Sequence, residues 1–184
     1  CNWDVSKMSS FAVEANVKLN FVPGQVVYFH MNNFYALYWV TQLPSGQYQL
    51  SAHNLTYAGQ AGANNWEPII VLPNGFNNWV TLKLRFYNGK YQYWVNGQMV
   101  QEYATDKRLT SVRNFGFGYT GYAPINASMD WIKLYGENDH VLYTENFDDE
   151  NIDVVGNDIL MNCPIENCEQ SFTNYFNQQK STSY

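Results

Sequence analysis

Apolar and polar residues alternate along much of residues 1–147, in short runs separated by turn-forming residues. Between Phe11 and Phe21 every second residue is apolar, which is the period of a strand with one buried face. The same alternation runs from Asn126 to Tyr135, and the segment from Val141 to Phe147 is predicted to pair with it as a hairpin. No segment of residues 1–147 has a convincing helical period. Short strands at this spacing predict an all-β sandwich or barrel.

Residues 34–43, FYALYWVTQL, are apolar on both faces. A strand of this kind belongs in the middle of a sheet that is covered on both sides, or it lines a groove.

The clearest turn signals lie within residues 79–103, where Asn88-Gly89 and Asn96-Gly97 separate three runs rich in β-branched and aromatic residues. Asn-Gly tolerates the positive φ angles of the two-residue type I′ turn, so we predict a three-stranded antiparallel meander. A two-residue turn also fixes the pairing register. The second turn sets Tyr93 opposite Val100. The first turn pairs Leu82 with Val95, Leu84 with Tyr93, Phe86 with Tyr91 and Tyr87 with Lys90.

This register divides the meander into a core face and an opposite face. The core face is predicted to hold Val80, Leu82, Leu84, Phe86, Tyr91, Tyr93, Val95 and Val100. The opposite face is predicted to hold Thr81, Lys83, Arg85, Tyr87, Gln92, Trp94, Met99, Gln101 and Tyr103.

The non-core face has the side chains that a sugar-binding surface needs. Trp94 offers an aromatic platform for the apolar face of a sugar ring, and the polar groups around it offer hydrogen bonds to hydroxyl groups. Lys83 and Arg85 would favour an acidic glycan. The alternative is an ordinary solvent-exposed face, because the sequence does not say which sheet face is concave. Trp39 is a second candidate platform, with core packing as its alternative. The candidate ligand-binding residues are Trp94, Lys83, Arg85, Gln92, Gln101, Tyr103 and Trp39.

Charge divides the chain into two regions. Residues 1–136 carry nine Lys and Arg against six Asp and Glu, whereas residues 137–184 carry one Lys against ten acids. We predict a β-sandwich over residues 1–147 and an irregular acidic C-terminal extension over residues 148–184, packed on the body or on a neighbouring chain. The lack of a basic run argues against a nucleic-acid partner. No apolar run is long enough for a transmembrane segment.

The chain has three cysteines, one at its first residue and two in the C-terminal extension. They are Cys1, Cys163 and Cys168. A disulfide between Cys163 and Cys168 would pin the extension, and a bond from Cys1 to either of them is the alternative. Their spacing suits neither a redox pair nor a zinc site. Three interpretations of Cys1 stay open: the lipid-modified start of a bacterial lipoprotein, the start of a fragment, and a link to another protomer.

Composition favours a secreted or cell-surface protein. Only 14% of the residues are charged, and Asn, Gln, Tyr, Ser and Thr are plentiful. Asn54 and Asn126 begin Asn-x-Ser/Thr sequons, so they are candidate glycosylation sites if the source is eukaryotic.

Three segments resemble a known superfamily. Trp79-x-x-Leu-x-Leu, followed by a hairpin and Tyr93-Trp-Val-Asn-Gly, resembles the signature of concanavalin A-like lectin/glucanase domains, the laminin G type included. SMDWIKLY at 128–135 resembles their closing strand, and VLYTENFDD at 141–149 is similar to the segment that follows it in many bacterial secreted members. The resemblance implies a two-sheet antiparallel β-sandwich of the concanavalin-like jelly-roll type. It implies little about function, because the superfamily contains lectins, carbohydrate-binding modules, glycosidases, lyases and adhesion modules.

Calcium is common in this superfamily, and four acids of the extension carry the oxygen ligands that calcium takes. Their spacing matches no defined loop, which favours a solvated acidic linker and no cofactor. The four acids are Asp148, Asp149, Glu150 and Asp153.

The catalytic motifs of the superfamily are missing. Glucanase members carry paired carboxylates in an ExDxxE-type strand, and no such spacing occurs here. Lyases on related jelly rolls would show a Gln-x-His strand, to which His30 in VVYFHMNN is the nearest approach. Nothing in the sequence orients His30 as a base, so it is interpreted as structural. An enzyme is therefore the less favoured interpretation.

We expect a non-catalytic extracellular carbohydrate-binding or adhesion domain, with a glycan or polysaccharide as its partner. The first alternative is a structural protomer of an extracellular filament or surface assembly, in which the tail or a terminal strand docks on another copy of the chain. The second alternative is a polysaccharide-degrading enzyme whose site the sequence does not reveal.

Overall fold

A computed structural model of the chain describes residues 3–20, 26–31, 38–53, 66–72, 78–104, 108–112, 114–120, 125–146, 153–156 and 159–162. These residues form fifteen strands and one short 3₁₀ segment, Glu137–Asp139. The strands are β1 (Trp3–Asp4), β2 (Ser10–Asn20), β3 (Val26–Met31), β4 (Tyr38–Gln42), β5 (Tyr48–His53), β6 (Trp66–Leu72), β7 (Val80–Tyr87), β8 (Lys90–Val95), β9 (Gln98–Ala104), β10 (Ser111–Val112), β11 (Asn114–Thr120), β12 (Ile125–Tyr135), β13 (Val141–Asn146), β14 (Asp153–Gly156) and β15 (Ile159–Asn162).

Two large antiparallel sheets contain most of these strands. The seven-stranded sheet has the order β13-β12-β2-β7-β8-β9, with β14 also paired to β12, and the six-stranded sheet has the order β15-β11-β3-β4-β5-β6. Strands β1 and β10 form a separate two-stranded sheet. The prediction of an all-β, two-sheet antiparallel sandwich is confirmed. The part of the two-sided apolar segment that the structure describes as a strand, Tyr38–Gln42, is confirmed as central, because β4 lies between β3 and β5.

One hydrophobic core lies between the two large sheets. Leu50 and Ala52 of the six-stranded sheet are buried in the same cluster as the alternating apolar residues of β2, β7, β8 and β12. Aromatic rings form its centre. Phe11 stacks on Phe86 with ring centroids 5.1 Å apart, and Phe86 meets Tyr91 edge-on at 5.3 Å. Burial of the apolar faces of these strands contributes the favourable free energy that holds the two sheets together.

The strands on either side of the first turn of the meander, β7 and β8, pair in the predicted register. Leu82 pairs with Val95, Leu84 with Tyr93 and Phe86 with Tyr91, and all six side chains are buried. Asn88 and Asn96 have φ angles of 47° and 50°, and the glycines that follow them have 79° and 76°, as the type I′ turn requires. The hairpin of β12 and β13 is confirmed as well.

The second half of the meander departs from the predicted register. Trp94 pairs with Met99, but Tyr93 pairs with Gln101, so Val100 is an extra residue in β9. Such a β-bulge moves every later side chain of its strand to the other face. Tyr103 consequently lies in the core, where its ring meets that of Tyr93 edge-on at 5.8 Å. The predicted placement of Gln101 and Tyr103 on the non-core face is wrong, because a turn motif does not report a bulge beyond it.

Two short strands lie in the extension that was predicted to be irregular. β14 pairs with β12, and β15 pairs with β11. Four residues are too few to show a strand period, so the sequence pattern had no signal for them. The boundary at residue 147 and the packing of the rest of the extension stay predictions. Cys1, Cys163 and Cys168 lie outside the described residues.

Removing the ring of Phe11 should test the position of the core. Phe11 is fully buried between Phe86 and Trp3, so Phe11→Ala leaves a cavity and should lower the free energy of unfolding by about 3–5 kcal/mol. Met99, which is 48% exposed in β9, is the matched control, and Met99→Ala should change stability by about 0.5 kcal/mol or less. Denaturant unfolding of both variants gives the comparison, and equal losses would contradict the core described here.

Candidate functional site

Four of the seven predicted ligand-binding residues share the outer face of the seven-stranded sheet. Lys83 and Arg85 of β7 pair directly with Trp94 and Gln92 of β8. Strand alternation places all four on the side opposite the buried Leu84 and its neighbours. The predicted composition of this face is therefore confirmed for these four, and whether they bind a ligand stays a prediction.

Lys83 and Arg85 share one carboxylate. Arg85 Nη2 lies 3.0 Å from Asp139 Oδ2, and Lys83 Nζ lies 3.8 Å from Asp139 Oδ1. The cationic side chains are only 13% and 14% exposed, whereas that of Asp139 is 46% exposed. Their positive charge is partly neutralised within the protein, which weakens the expected attraction for an acidic glycan.

A tight turn between β12 and β13 positions Asp139. Asn138 and Asp139 have φ angles of 56° and 57°, a left-handed conformation that Asn and Asp adopt more readily than other residues with a side chain. Ser9 Oγ donates a hydrogen bond to Glu137 Oε2 at 2.6 Å, which ties the turn to the residue before β2. Hydrogen bonds from Ser9 lower the pKa of Glu137, so this contact stays charge-assisted in neutral solution.

Aromatic rings cover the same cations. Lys83 Nζ lies 4.3 Å from the ring centroid of Tyr135 and 5.8 Å from that of Trp94, and the Arg85 guanidinium lies 4.4 Å from that of Tyr87. Contacts of this geometry are favourable cation–π interactions. The ring faces that a sugar would need are thus shared with protein cations.

Tyr135 also connects this face to β2. Its hydroxyl donates a 2.5 Å hydrogen bond to Glu14 Oε2, and Glu14 pairs directly with Lys83 across the strands. Burial, followed by the Glu14 carboxylate, raises the pKa of Tyr135 well above its usual range.

The amide of Gln92 is also engaged within the protein. Its Nε2 donates to Glu102 Oε2 at 2.8 Å, and its Oε1 accepts from Trp94 Nε1 at 3.2 Å. Lys90 Nζ lies 2.7 Å from Glu102 Oε1 and, with the Gln92 contact, lowers the pKa of Glu102. The groups expected to hydrogen-bond sugar hydroxyls are therefore already used in a network that the sequence pattern did not reveal.

The remaining three predicted residues lie elsewhere. Gln101 Nε2 and the hydroxyl of Tyr103 both donate to Glu67 Oε2 of β6, at 3.1 and 2.9 Å, so these two residues join the two sheets instead of lining an outer face. Burial and the Glu67 carboxylate raise the pKa of Tyr103 well above its usual range. Trp39 lies in β4 of the other sheet, opposite Ser51. Sequence reasoning missed Glu67 because its partners are 34 and 36 residues away.

A second outer face belongs to the six-stranded sheet. Leu50 and Ala52 of β5 point into the core, so Gln49, Ser51 and His53 alternate to the other side. The strand pairings extend this face in both directions. Its positions are Val26, Tyr28 and His30 of β3, Trp39 and Thr41 of β4, Gln49, Ser51 and His53 of β5, Trp66, Pro68 and Val71 of β6, and Asn114, Gly116, Gly118 and Thr120 of β11.

The register brings together residues that are far apart in the sequence. Val26 and Ser51 both pair with Trp39, so Tyr28 and His53 lie level on two strands that run in the same direction. Where β4 lies between them, the backbones of β3 and β5 are about 10 Å apart, and His30 lies about 7 Å beyond Tyr28 along β3. Gly118 and Gly116 stand opposite Tyr28 and His30. The sequence indicated His30 as a candidate, and only the strand register relates His53 to it.

No metal site emerges from the described residues, among which no three His, Cys, Asp or Glu side chains are grouped to hold an ion. The predicted calcium ligands Asp148, Asp149 and Glu150, and the sequon residue Asn54, lie outside the described part of the chain. Asp153 and Asn126 are placed only as strand residues, in β14 and β12. No helix in the described ranges is long and apolar enough to cross a membrane.

Comparison with known proteins finds similarity to solved structures only. No protein-family model matches the sequence, and no curated protein matches it. The marine PL7 alginate lyase AlyA1 from Zobellia galactanivorans superposes with a TM-score of 0.43 at 15% identity, over 79% of this chain and 65% of the lyase. The alginate lyase AlgAT5 of polysaccharide lyase family 7 gives 0.37 at 11% identity, over 89% of this chain and 63% of the lyase. The chain spans less than two thirds of the length of either enzyme.

The likeness at these identities concerns the concanavalin-like jelly-roll fold. It also corrects the main functional prediction. The expectation of a non-catalytic carbohydrate-binding or adhesion domain is contradicted, because the solved structures that resemble the chain are polysaccharide lyases. The expectation of self-association and a filament has no support from these comparisons.

Neutralising Asp139 should test the network on the seven-stranded sheet. Asp139→Asn leaves Lys83 and Arg85 partly buried without their shared carboxylate and should lower the free energy of unfolding by about 1 kcal/mol. Glu102→Gln removes the more exposed ion pair to Lys90 and should cost less than this. Thermal or denaturant unfolding in low salt measures both. A larger loss in Glu102→Gln would contradict the central role of Asp139.

Stability should fall in alkaline solution. The folded pKa values of Tyr103 and Tyr135 are raised above the ordinary value of about 10, so their contribution is complete below that pH and is lost as the pH rises above it. Between neutral pH and pH values above about 10, the free energy of unfolding should decrease. The double variant Tyr103→Phe and Tyr135→Phe should decrease less over the same range. An equal decrease in both proteins would exclude these two tyrosines as the cause.

Proposed function

We propose that this chain is a polysaccharide-degrading enzyme whose active face is the outer face of the six-stranded sheet. The observation that carries the proposal is the strand register, which sets His30 and His53 on one face together with Tyr28. Histidine is the side chain whose unperturbed pKa suits proton transfer near neutral pH, and tyrosine can act as the matching acid or base.

The polar character of this face favours elimination over hydrolysis. Glycoside hydrolysis usually needs two carboxylates on either side of the scissile bond. None of the paired strand positions on this face is Asp or Glu, and Glu67 of β6 is on the core side with Tyr103. A glycosidase of the usual kind therefore lacks its catalytic pair on the strands of this face.

β-Elimination needs a different set of groups, and this face supplies them. In a polymer of uronic acids, a base removes the proton from the carbon next to the carboxylate, an acid protonates the leaving glycosidic oxygen, and a carbon–carbon double bond replaces the broken C–O bond. His30, His53 and Tyr28 are the candidates for base and acid. Gln49, an uncharged hydrogen-bond donor on the same face, is a candidate for binding the substrate carboxylate.

Space and stacking surfaces also fit a polymer. Gly116 and Gly118 pair with His30 and Tyr28, and a glycine has no side chain to occupy the position opposite each of them. Trp39 pairs with Ser51, and Trp66 pairs with His53. Tryptophan rings are suitable platforms for successive sugar residues.

The resemblance noted in the sequence extends the proposal. The Trp79 signature and SMDWIKLY at 128–135 are consistent with membership of the concanavalin A-like lectin/glucanase superfamily. Action on a polysaccharide is consistent with a secreted or cell-surface location, which the low content of charged residues also favours.

An ultraviolet assay should distinguish elimination from hydrolysis. The purified chain is incubated with a panel of uronic-acid polysaccharides, alginate included, and the double bond conjugated to the carboxylate is followed by absorbance while reducing ends are counted. We expect both signals to rise together. Reducing ends without the absorbance would indicate a hydrolase, and neither signal on any polymer would contradict the proposed activity.

The three histidines of the chain provide a matched set of variants. His30→Asn and His53→Asn should each lower kcat/KM by about a hundredfold or more, the typical contribution of a general acid or base. His140→Asn is the control, because His140 is exposed in the turn before β13 on the other sheet. Equal activity in all three variants would reject this face as the catalytic one.

A further inference from the structure

Two Asn-Gly turns of the meander have nearly identical backbones. Asn88-Gly89 and Asn96-Gly97 both form type I′ turns, with φ angles that differ by only 3° at the Asn and 3° at the Gly. All four residues are exposed. A Cβ placed on either glycine would meet nothing within 4 Å, so the space beside each glycine is open.

The asparagine side chains of these turns differ in their contacts. Oδ1 of Asn96 accepts a 3.0 Å hydrogen bond from the backbone N–H of Thr81, while the Asn96 N–H donates to Thr81 O at 2.8 Å. Asn88 is held by its backbone only, through a 2.9 Å bond from its N–H to Ser9 O. Within the described residues, no hydrogen bond restrains the carboxamide of Asn88.

We propose that Asn88 is a site of spontaneous deamidation in the folded protein and that Asn96, in the same local sequence and turn, is protected. In this reaction the backbone nitrogen of Gly89 attacks Cγ of Asn88. The new N–Cγ bond closes a five-membered succinimide, the Cγ–Nδ2 bond breaks, and the Nδ2 group leaves with the backbone N–H proton as ammonia. Water then opens the ring at either carbonyl and yields aspartate or isoaspartate.

The hydrogen bond to Thr81 explains the difference. Attack requires the side chain to rotate until Cγ approaches the nitrogen of the next residue. Asn96 must first give up its bond to Thr81, whereas Asn88 rotates without that loss. One hydrogen bond of typical net strength corresponds to a rate difference of about fivefold.

The product would change both charge and geometry at the tip of the hairpin of β7 and β8. Aspartate or isoaspartate adds a negative charge two residues before Lys90. Isoaspartate also lengthens the main chain by one methylene group in a turn whose two-residue length sets the register. It therefore disturbs the bond to Ser9 and the end of β7.

Peptide mapping can separate the two sites. Trypsin cleaves after Arg85, Lys90 and Lys107, so Asn88 falls in the peptide 86–90 and Asn96 in the peptide 91–107. The folded chain is incubated at mildly alkaline pH, and the fraction of each peptide that has gained about one dalton is measured over time. We expect peptide 86–90 to convert about five times faster or more than peptide 91–107.

Two controls make the result specific. In concentrated urea the Thr81 contact is lost, so the two peptides should convert at similar rates. Asn88→Gln should abolish conversion of peptide 86–90, because a six-membered ring closes much more slowly, and should leave peptide 91–107 unchanged. Equal rates in the folded chain would overturn the proposed protection of Asn96. Conversion in urea but not in the folded chain would overturn Asn88 as a site in the native protein.

Discussion

The register of β7 on β8 is the constraint on which the rest of the seven-stranded sheet depends. Asn88, in the left-handed conformation, and Gly89 close a turn of two residues, and a turn of that length permits one alignment of the flanking strands. That alignment sends Leu84, Phe86 and Tyr93 to one face, where Phe11 of β2 packs against Phe86. A slip of one residue would exchange the two faces, so the same turn decides which residues of these strands face the core and which face outward.

Up to the bulge at Val100, the turn sets which face each side chain of β9 takes. Beyond the bulge, contacts between the two sheets do so. Beyond it Tyr103 turns inward, and with Gln101 it donates to the Glu67 carboxylate of β6. Partial burial of a carboxylate costs less when the group is hydrogen-bonded, and these two donors provide that compensation for the half-buried Glu67. The edge of one sheet is thereby tied to the edge of the other. This link also holds β6 beside β5, the strand that carries His53 on its outer face.

The two outer faces differ in composition. On the seven-stranded sheet, Asp139 engages Lys83 and Arg85, and Glu102 engages Gln92, so a ligand would have to compete with existing bonds. On the six-stranded sheet, the register collects histidine, tyrosine, glutamine and tryptophan positions without a carboxylate among them. On this composition we place the proposed site on the six-stranded sheet and not on the sheet whose register the sequence revealed.

The sequence by itself determined the all-β class, the β7–β8 register, the hairpin of β12 and β13, and the central place of β4. These features follow from period-2 alternation and turn chemistry, which act over a few residues. Only the tertiary structure decided the bulge at Val100, the pairing of Asp139 with Arg85, which is 54 residues away, and the alignment of Tyr28 with His53. Contacts of this kind arise when separate strands are brought side by side. The polar residues that form them carry no periodic signal of their partners.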